Sequence, residues 1–199
     1  MELIVISDTD NVVNEADIIN RLFEAGMKRF HLRKLQWDIE KSAGLLAEID
    51  KAYHQDIVLH QHHQLAKVFG INRLHYKEKE RRKTEVFKLL NKTNEGDLLS
   101  TSVHSLAEIP SLQCFEYVFF SPVFNSLSKP GYQSQLTEGF RLQKDDVNPK
   151  VIALGGIDDS NLDKIKEMNF DGAAVLGSIW SRPEQAVFNF KRLKELANN

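Results

Sequence analysis

Eight short, largely apolar runs, spread along the whole of a 199-residue chain, constrain its fold more than any other feature. Each run has the three to five residues of a buried strand and is too short for a helix. Apolar residues that follow one another without alternation are typical of parallel strands, which are covered on both faces. The runs lie at residues 3–6, 29–32, 57–59, 73–76, 98–102, 116–120, 151–154 and 173–176.

Segments with helical spacing of apolar residues separate these runs, as with Leu162, Ile165 and Met168 in the stretch 158–168. Strands that alternate with helices through short connections run parallel with right-handed crossovers, and eight such units is the number that closes a barrel. We therefore predict an α/β protein whose residues 1–199 form one domain, a (β/α)8 barrel. An open doubly wound sheet is the alternative. In a barrel, the binding pocket is expected at the carboxyl ends of the strands.

Chain length and net charge limit the number of domains and the kinds of ligand to be expected. The chain is long enough for one well-filled domain and short for two. Its net charge of -2 provides no basic surface for nucleic acid or for an anionic membrane. A small molecule is the expected ligand, and the sequence leaves open whether the chain forms a homo-oligomer.

A cytoplasmic location is expected from cysteine usage and from the hydropathy pattern. The single cysteine, Cys114, cannot form an internal disulfide and suits a reducing compartment. Met1 leads directly into the first strand-like run with no signal segment ahead of it. No apolar stretch approaches the length needed to cross a bilayer.

Two glycine-containing turns about twenty residues apart indicate a phosphate site. The segments 151–157 (VIALGGI) and 171–178 (DGAAVLGS) are short apolar runs ending in glycine. A glycine after a buried strand lets main-chain N–H groups approach a ligand closely, and a phosphate commonly binds after strands seven and eight of a barrel. The predicted cup consists of Gly155, Gly156, Leu176 and Gly177; simple turn glycines are the alternative.

The other strand ends are polar and cationic. Arg33 and Lys34 follow the second strand, and Lys129 lies in a long polar loop, residues 125–138, after the sixth. Their charges could converge on an anion, with Ser126 and Ser128 adding hydroxyl donors. A cationic cluster facing a phosphate cup suits two phosphorylated substrates or one substrate charged at both ends.

Histidines near the strand ends suggest acid–base work or phosphate contact more than metal binding. His60, His62 and His63 are close in sequence, but no cysteine is nearby and the HExxH spacing is absent. By position after strands, His31, His60 and His104 are the candidates for proton transfer or for phosphate contact.

With these residues in place, the chain resembles the thiamine phosphate synthase family and its sister group, the thiazole tautomerases. Residues 116–124 (EYVFFSPVF) are similar to the family's A-D-Y-V-x-x-G-P-V-F, and residues 151–157 to its V-A-I-G-G-I. The resemblance runs nearly end to end. The other matching segments are residues 6–8, 70–75, 102–105, 126–129 and 172–179.

The resemblance implies a reaction that joins hydroxymethylpyrimidine diphosphate to a thiazole phosphate and releases pyrophosphate. It implies Arg33 and Lys129 as catalytic residues that stabilise the departing diphosphate. The residues implied for the pyrimidine diphosphate are His31, Arg33, Lys34, His60, Ser102 and Lys129, and those for the thiazole phosphate are Ser126, Ser128, Gly155, Gly156, Leu176 and Gly177.

The family also implies Mg²⁺, and here the chain departs from the family pattern. Glu80 falls on one of the metal-binding aspartates, whereas Gln61 replaces the other and removes a carboxylate. Two alternatives to the synthase therefore stay open: a metal-independent thiazole tautomerase acting on a carboxythiazole phosphate, and a non-catalytic barrel that binds a phosphorylated ligand.

Overall fold

The computed structural model describes residues 1–124, 136, 139–144 and 149–199. Its eight strands are all parallel and pair in sequence order to form a closed barrel, which confirms the predicted fold class. Each strand ends within one residue of a predicted run. The strands are β1 (Glu2–Ile6), β2 (Phe30–Leu32), β3 (Ile57–Leu59), β4 (Arg73–Tyr76), β5 (Leu98–Val103), β6 (Tyr117–Phe120), β7 (Lys150–Leu154) and β8 (Gly172–Val175).

Helices surround the barrel and range in length from four to 13 residues. They are α1 (Glu15–Glu24), α2 (Ile39–Glu48), α3 (Leu65–Phe69), α4 (Glu78–Arg81), α5 (Val86–Asn94), α6 (Leu162–Glu167), α7 (Gly177–Trp180) and α8 (Ala186–Asn198). Three 3-10 turns, Lys51–Asp56, Leu106–Ser111 and Pro183–Gln185, complete the layer. Among the described residues, no helix is both long enough and apolar enough to span a membrane.

The helix predicted over residues 158–168 begins only at Leu162. Side chains form a turn ahead of it: Asn161 Oδ1 accepts from the Asp158 N–H at 3.0 Å, and Asp158 Oδ1 accepts from the Ser160 N–H at 2.9 Å. Asp and Asn side chains that bond to nearby backbone compete with helical hydrogen bonds, so the helix starts one turn later than its apolar spacing suggests.

Pairing of β1 with β8 closes the barrel, and Gly172 permits it. Leu3 lies opposite Ala173, and Ile4 lies opposite Ala174. A Cβ atom at Gly172 would lie 2.6 Å from the Glu2 carbonyl oxygen, so no larger residue fits there without movement of the backbone.

Ion pairs cover the amino end of the barrel. Arg73 Nη1 donates to Glu116 Oε2 at 2.7 Å, and Arg29 lies 3.9 Å from the same carboxylate. Arg29 also lies 3.8 Å from Glu2. These charges lie on β1 and β4 and on the residues just before β2 and β6, so they connect strands around the amino end of the barrel.

The barrel interior has an apolar side and a polar side. Side chains from β1, β6, β7 and β8 form a separate apolar cluster, which consists of Ile4, Ile6, Tyr117, Phe119, Ile152 and Ala174. The part of the barrel from β2 to β5 instead contributes polar groups. These are the imidazoles of His31, His60 and His75 and the hydroxyls of Ser100 and Ser102. The usual filling of a barrel by branched apolar residues is therefore kept on one side only.

A cavity of about 460 Å³ lies away from the predicted pocket. Its lining includes Leu142, Val151 and Asp171, which places it beside the amino ends of β7 and β8. Segment 139–144 passes here, and the Leu142 N–H donates to the Met168 carbonyl at 2.8 Å. Between β6 and β7 the described residues include no helix. Most of segment 125–138, predicted to be a loop near the pocket at the carboxyl ends, lies outside the described residues.

The close approach at Gly172 generates a stability test. Gly172→Ala should lower the free energy of unfolding by about 1–3 kcal/mol, because the added methyl group must displace the β1 backbone. Gly44, inside α2, has nothing within 4 Å of its potential Cβ, so Gly44→Ala should raise stability by about 0.5–1 kcal/mol. Urea unfolding followed by circular dichroism measures both. Equal effects of the two substitutions would contradict the proposed role of Gly172.

Candidate functional site

The two glycine turns predicted to form a phosphate cup are adjacent in space. They follow β7 and β8, which pair through Leu154 and Ala174. Ser178 Oγ, in the second turn, donates to the Ile157 carbonyl of the first at 3.2 Å. Asn161 Nδ2 donates to the Gly156 carbonyl at 2.8 Å and so holds the first turn in place. The structure thus brings the predicted cup residues to one edge of the barrel.

The glycines of the predicted cup differ in the structural reason for having no side chain. Gly155 has a φ of 107°, and a Cβ there would lie 3.3 Å from Pro122 Cα, so protein packing accounts for it. Gly156 is exposed and has a φ of 67°, which a turn explains. Gly177 is different, because its φ is not left-handed and a Cβ would meet, among the described residues, only Ser181 Oγ at 3.7 Å. No contact with the described part of the chain therefore requires glycine at 177, where α7 begins after Leu176.

Arg33 presents positive charge at the same end of the barrel. Its backbone is held by Ser7, whose Oγ accepts from the Arg33 N–H at 2.8 Å. The side chain is half-buried, and among the described residues its guanidinium has no carboxylate or hydrogen-bond acceptor. Burial lowers the pKa of this guanidinium, which nevertheless stays protonated at neutral pH. Such a group is suited to binding an anionic ligand.

The side chain of the next residue, Lys34, forms a buried ion pair. Its side chain is 1% exposed, and Nζ donates to Glu15 Oε2 and to the Asp10 carbonyl, both at 2.7 Å. Desolvation raises the pKa of Glu15, and the Lys34 ammonium opposes that change. The predicted contact of Lys34 with a diphosphate stays a prediction, and this buried ion pair argues against it.

His31 and His60 lie inside the barrel. They are 0% and 4% exposed, and His31 Nδ1 lies 2.8 Å from His60 Nε2. His31 Nε2 lies 2.6 Å from the Tyr117 hydroxyl. Burial lowers the pKa of each imidazole, so both are neutral at pH 7. Their contact with a ligand stays a prediction, since the contacts seen are with each other and with barrel residues.

His75 completes this group and was not among the histidines predicted to transfer protons or to contact phosphate. Its ring stacks on that of His60 with centroids 4.0 Å apart. Nδ1 lies 2.9 Å from Ser100 Oγ, and Nε2 lies 3.0 Å from the Oγ of half-buried Ser102. Burial lowers the pKa of His75 to about 3. Alternation along β4 and β5 is the signal that would have placed these residues inside, once strand register was known.

The residues at the implied Mg²⁺ position do not fit a site with two carboxylates. Gln61 Oε1 accepts from the Lys34 N–H at 3.3 Å, and Gln61 Nε2 is a buried donor without a partner among the described residues. Glu80 is exposed on α4, with Lys77 Nζ 3.9 Å from its carboxylate. Mg²⁺ prefers carboxylate and phosphate oxygens, and an amide donor facing the site favours an anion instead.

Three of the predicted ligand-binding residues, Ser126, Ser128 and Lys129, lie outside the described residues. Their roles stay predictions. His104, a candidate for proton transfer, is exposed after β5, with Nδ1 2.6 Å from the Ser121 carbonyl.

The buried ion pair generates a test that separates a structural from a ligand-binding lysine. Lys34→Met should lower the free energy of unfolding by about 3–5 kcal/mol, because it leaves the Glu15 carboxylate buried and unpaired. The double variant Lys34→Met/Glu15→Gln should recover part of that loss. Lys41, which is exposed and packs on the same Trp37 ring, provides the control, since Lys41→Met should change stability by no more than about 0.5 kcal/mol. A Lys34→Met midpoint in urea equal to that of the unmodified protein would exclude the structural role.

Comparison with known proteins agrees with the fold. A family model described as "Thiamine monophosphate synthase" matches residues 3–179. A thiamine-phosphate synthase of Lysinibacillus sphaericus is 25% identical over 210 residues, which cover 98% of this chain and 97% of that protein. The crystal structure of thiamine phosphate pyrophosphorylase from Bacteroides thetaiotaomicron is 30% identical, with a TM-score of 0.75 and coverage of 100% and 98%.

A thiamine phosphate pyrophosphorylase from Pyrococcus furiosus has a TM-score of 0.79 over 99% of this chain and 95% of its own. At 16% identity this likeness concerns the fold alone. The family model, in contrast, spans most of the sequence, including both glycine turns and the cationic end of β2. The chain therefore belongs to the thiamine monophosphate synthase family.

Proposed function

We propose that this chain is a thiamine phosphate synthase that couples hydroxymethylpyrimidine diphosphate to a thiazole phosphate and releases pyrophosphate. One observation carries the proposal: Arg33, whose guanidinium has no acidic partner among the described residues, lies at the same end of the barrel as two turns with exposed glycines, Gly156 and Gly177. A reaction with one phosphorylated and one diphosphorylated substrate needs two anion sites at one pocket. Family membership supports the same assignment.

The chemistry needs electrostatic positioning more than a dedicated base. The bond between the pyrimidine methylene carbon and the diphosphate oxygen breaks, and its electron pair leaves with pyrophosphate. The thiazole nitrogen then donates its lone pair to the methylene carbon of the resonance-stabilised pyrimidine cation. Arg33 and Lys129 would stabilise charge on the leaving group, while the cup holds the thiazole phosphate in reach.

A thiazole tautomerase is the second candidate, and Gln61 is the observation that favours it. A proton transfer within a carboxythiazole phosphate needs the phosphate cup but no diphosphate site and no metal carboxylate. The buried, neutral imidazoles of His31 and His60 would have to serve as proton carriers, although neither is exposed to a ligand.

One experiment separates these functions. Both substrates are mixed with the full chain, with and without Mg²⁺, and pyrophosphate release is followed. Release that depends on both substrates supports the synthase. No release, together with isomerisation of the carboxythiazole phosphate, would replace it by the tautomerase, and binding without either reaction would indicate a non-catalytic barrel.

The position of Gln61 generates a prediction on metal dependence. Gln61→Asp should lower the Mg²⁺ concentration for half-maximal pyrophosphate release by roughly tenfold, equivalent to about 1.4 kcal/mol of added binding free energy. Turnover should also rise. Gln64 is exposed three residues later, so Gln64→Asp adds the same charge outside the site and should leave the Mg²⁺ dependence unchanged. Identical behaviour of the two variants would argue against a metal position beside Gln61.

Lys129 provides a second test of the leaving-group site. Lys129→Ala should reduce turnover by roughly 100–1000-fold, because one positive charge on the departing diphosphate is lost. The measurement is pyrophosphate release at saturating substrates. Full activity in this variant would remove Lys129 from the catalytic residues.

The open position at Gly177 generates a prediction on the phosphate cup. Gly177→Asp should weaken thiazole phosphate binding at least about tenfold, since a carboxylate would face the phosphate. Gly177→Asn is the control of equal size without charge and should weaken binding much less. Isothermal titration calorimetry measures both, and Gly156→Asp should act in the same direction. Unchanged affinity in Gly177→Asp would refute the cup.

A further inference from the structure

Three histidines meet inside the barrel on its polar side. His31 lies on β2 and His75 on β4, while His60 directly follows β3, the strand between them. Pairing of Leu59 with Leu74 sets His60 beside His75. One ring nitrogen from each lies within 4.8 Å of the others. All three side chains are at least nine-tenths buried.

We propose that His31, His60 and His75 bind one divalent transition-metal ion of the Zn²⁺ class. Imidazole nitrogen is a preferred ligand of Zn²⁺, Co²⁺, Ni²⁺ and Cu²⁺, whereas Mg²⁺ prefers oxygen. Three histidines are also a known ligand set for zinc, with the fourth position left to another group. The site is thus chemically distinct from the Mg²⁺ that the family resemblance implies.

One distance is close to the value that such an ion requires, and a ring nitrogen of His75 lies within 4.8 Å of the other two ligands. His31 Nδ1 and His60 Nε2 are 2.8 Å apart, whereas two nitrogens on a tetrahedral zinc ion with Zn–N bonds of about 2.0–2.1 Å are about 3.3 Å apart. A small separation of the two rings therefore admits the ion. No side chain has to swing in from another part of the molecule.

Neighbouring hydroxyls can orient the ligands. With a metal at Nδ1, His31 carries its proton on Nε2, which lies 2.6 Å from the Tyr117 hydroxyl oxygen. A hydrogen bond from the second ring nitrogen commonly fixes a metal-bound histidine. His75 has a serine hydroxyl beside each nitrogen, and a hydroxyl can donate or accept, so either nitrogen of His75 can be the ligand.

The protein's own groups do not complete this cluster. His60 Nδ1 is buried and has no hydrogen-bond partner among the described residues. With the ion at Nε2, this Nδ1 carries the ring proton, so the argument for the ion rests on the three converging ring nitrogens. The other neighbouring histidines are engaged elsewhere, because His62 bonds to the Trp37 carbonyl and His63 to the Leu59 carbonyl.

Cobalt binding to the full chain tests the proposal. The purified protein is stripped with a chelator, dialysed and titrated with Co²⁺, whose visible absorption reports a four-coordinate nitrogen site. We expect about one equivalent to bind with this spectrum and Zn²⁺ to displace it. The readout is independent of substrate turnover, so failure of the proposed synthase activity would leave this result unaffected.

Single variants assign the ligands. His31→Gln, His60→Gln and His75→Gln should each lose the cobalt spectrum, while His104→Gln, at an exposed position, should keep it. Tyr117→Phe keeps all three imidazoles and should still bind Co²⁺, with affinity reduced roughly 10–100-fold. Circular dichroism identifies any variant that fails to fold.

Two results would overturn the proposal. One is a folded, unmodified chain that takes up neither Co²⁺ nor Zn²⁺ stoichiometrically. The other is cobalt binding that persists in all three histidine variants, which would place the ion at surface groups.

Discussion

The pairing of the first strand with the last is the constraint on which the rest of this structure depends. Once β1 lies against β8, alternation along every strand decides which residues point inward and which meet the helices. Gly172 makes this pairing possible by letting the β1 backbone approach. The polar interior, the amino-end ion pairs and the position of the glycine turns all follow from the register that this closure sets.

Much of the fold could be predicted because it is encoded locally. Each strand corresponds to a short run bounded by polar residues, and a parallel order follows from the alternation with helices. The start of α6 could not be predicted from apolar spacing, since the Asp158 and Asn161 side chains make hydrogen bonds that compete with the helix. The outer cavity beside β7 likewise depends on how a non-helical segment packs.

The sequence could predict where the candidate-site residues lie along the strands but not which residues their side chains contact. Arg33 and Lys34 look equivalent as neighbouring cations after β2. The Arg33 guanidinium, however, has no acidic partner among the described residues, whereas the Lys34 side chain is buried against Glu15. That contact spans 19 residues of sequence and depends on the packing of α1. The histidine cluster is hidden for a related reason. His31, His60 and His75 are far apart in the chain and become neighbours only through strand register, while His62 and His63 are close in sequence but bind backbone carbonyls.

Strand β8 belongs to the closing pair and leads directly into the second turn of the predicted phosphate cup, and this has a consequence for the energetics of ligand binding. An anion held between the turns after β7 and β8 would hold in place the strand that fastens the two ends of the chain together. Binding would then report directly on the global folding equilibrium: a ligand at a hundred times its Kd raises the free energy of unfolding by about 2.7 kcal/mol. The thermal unfolding midpoint should therefore rise with ligand occupancy of the predicted cup. Its increase can rank phosphorylated compounds by affinity without a turnover assay.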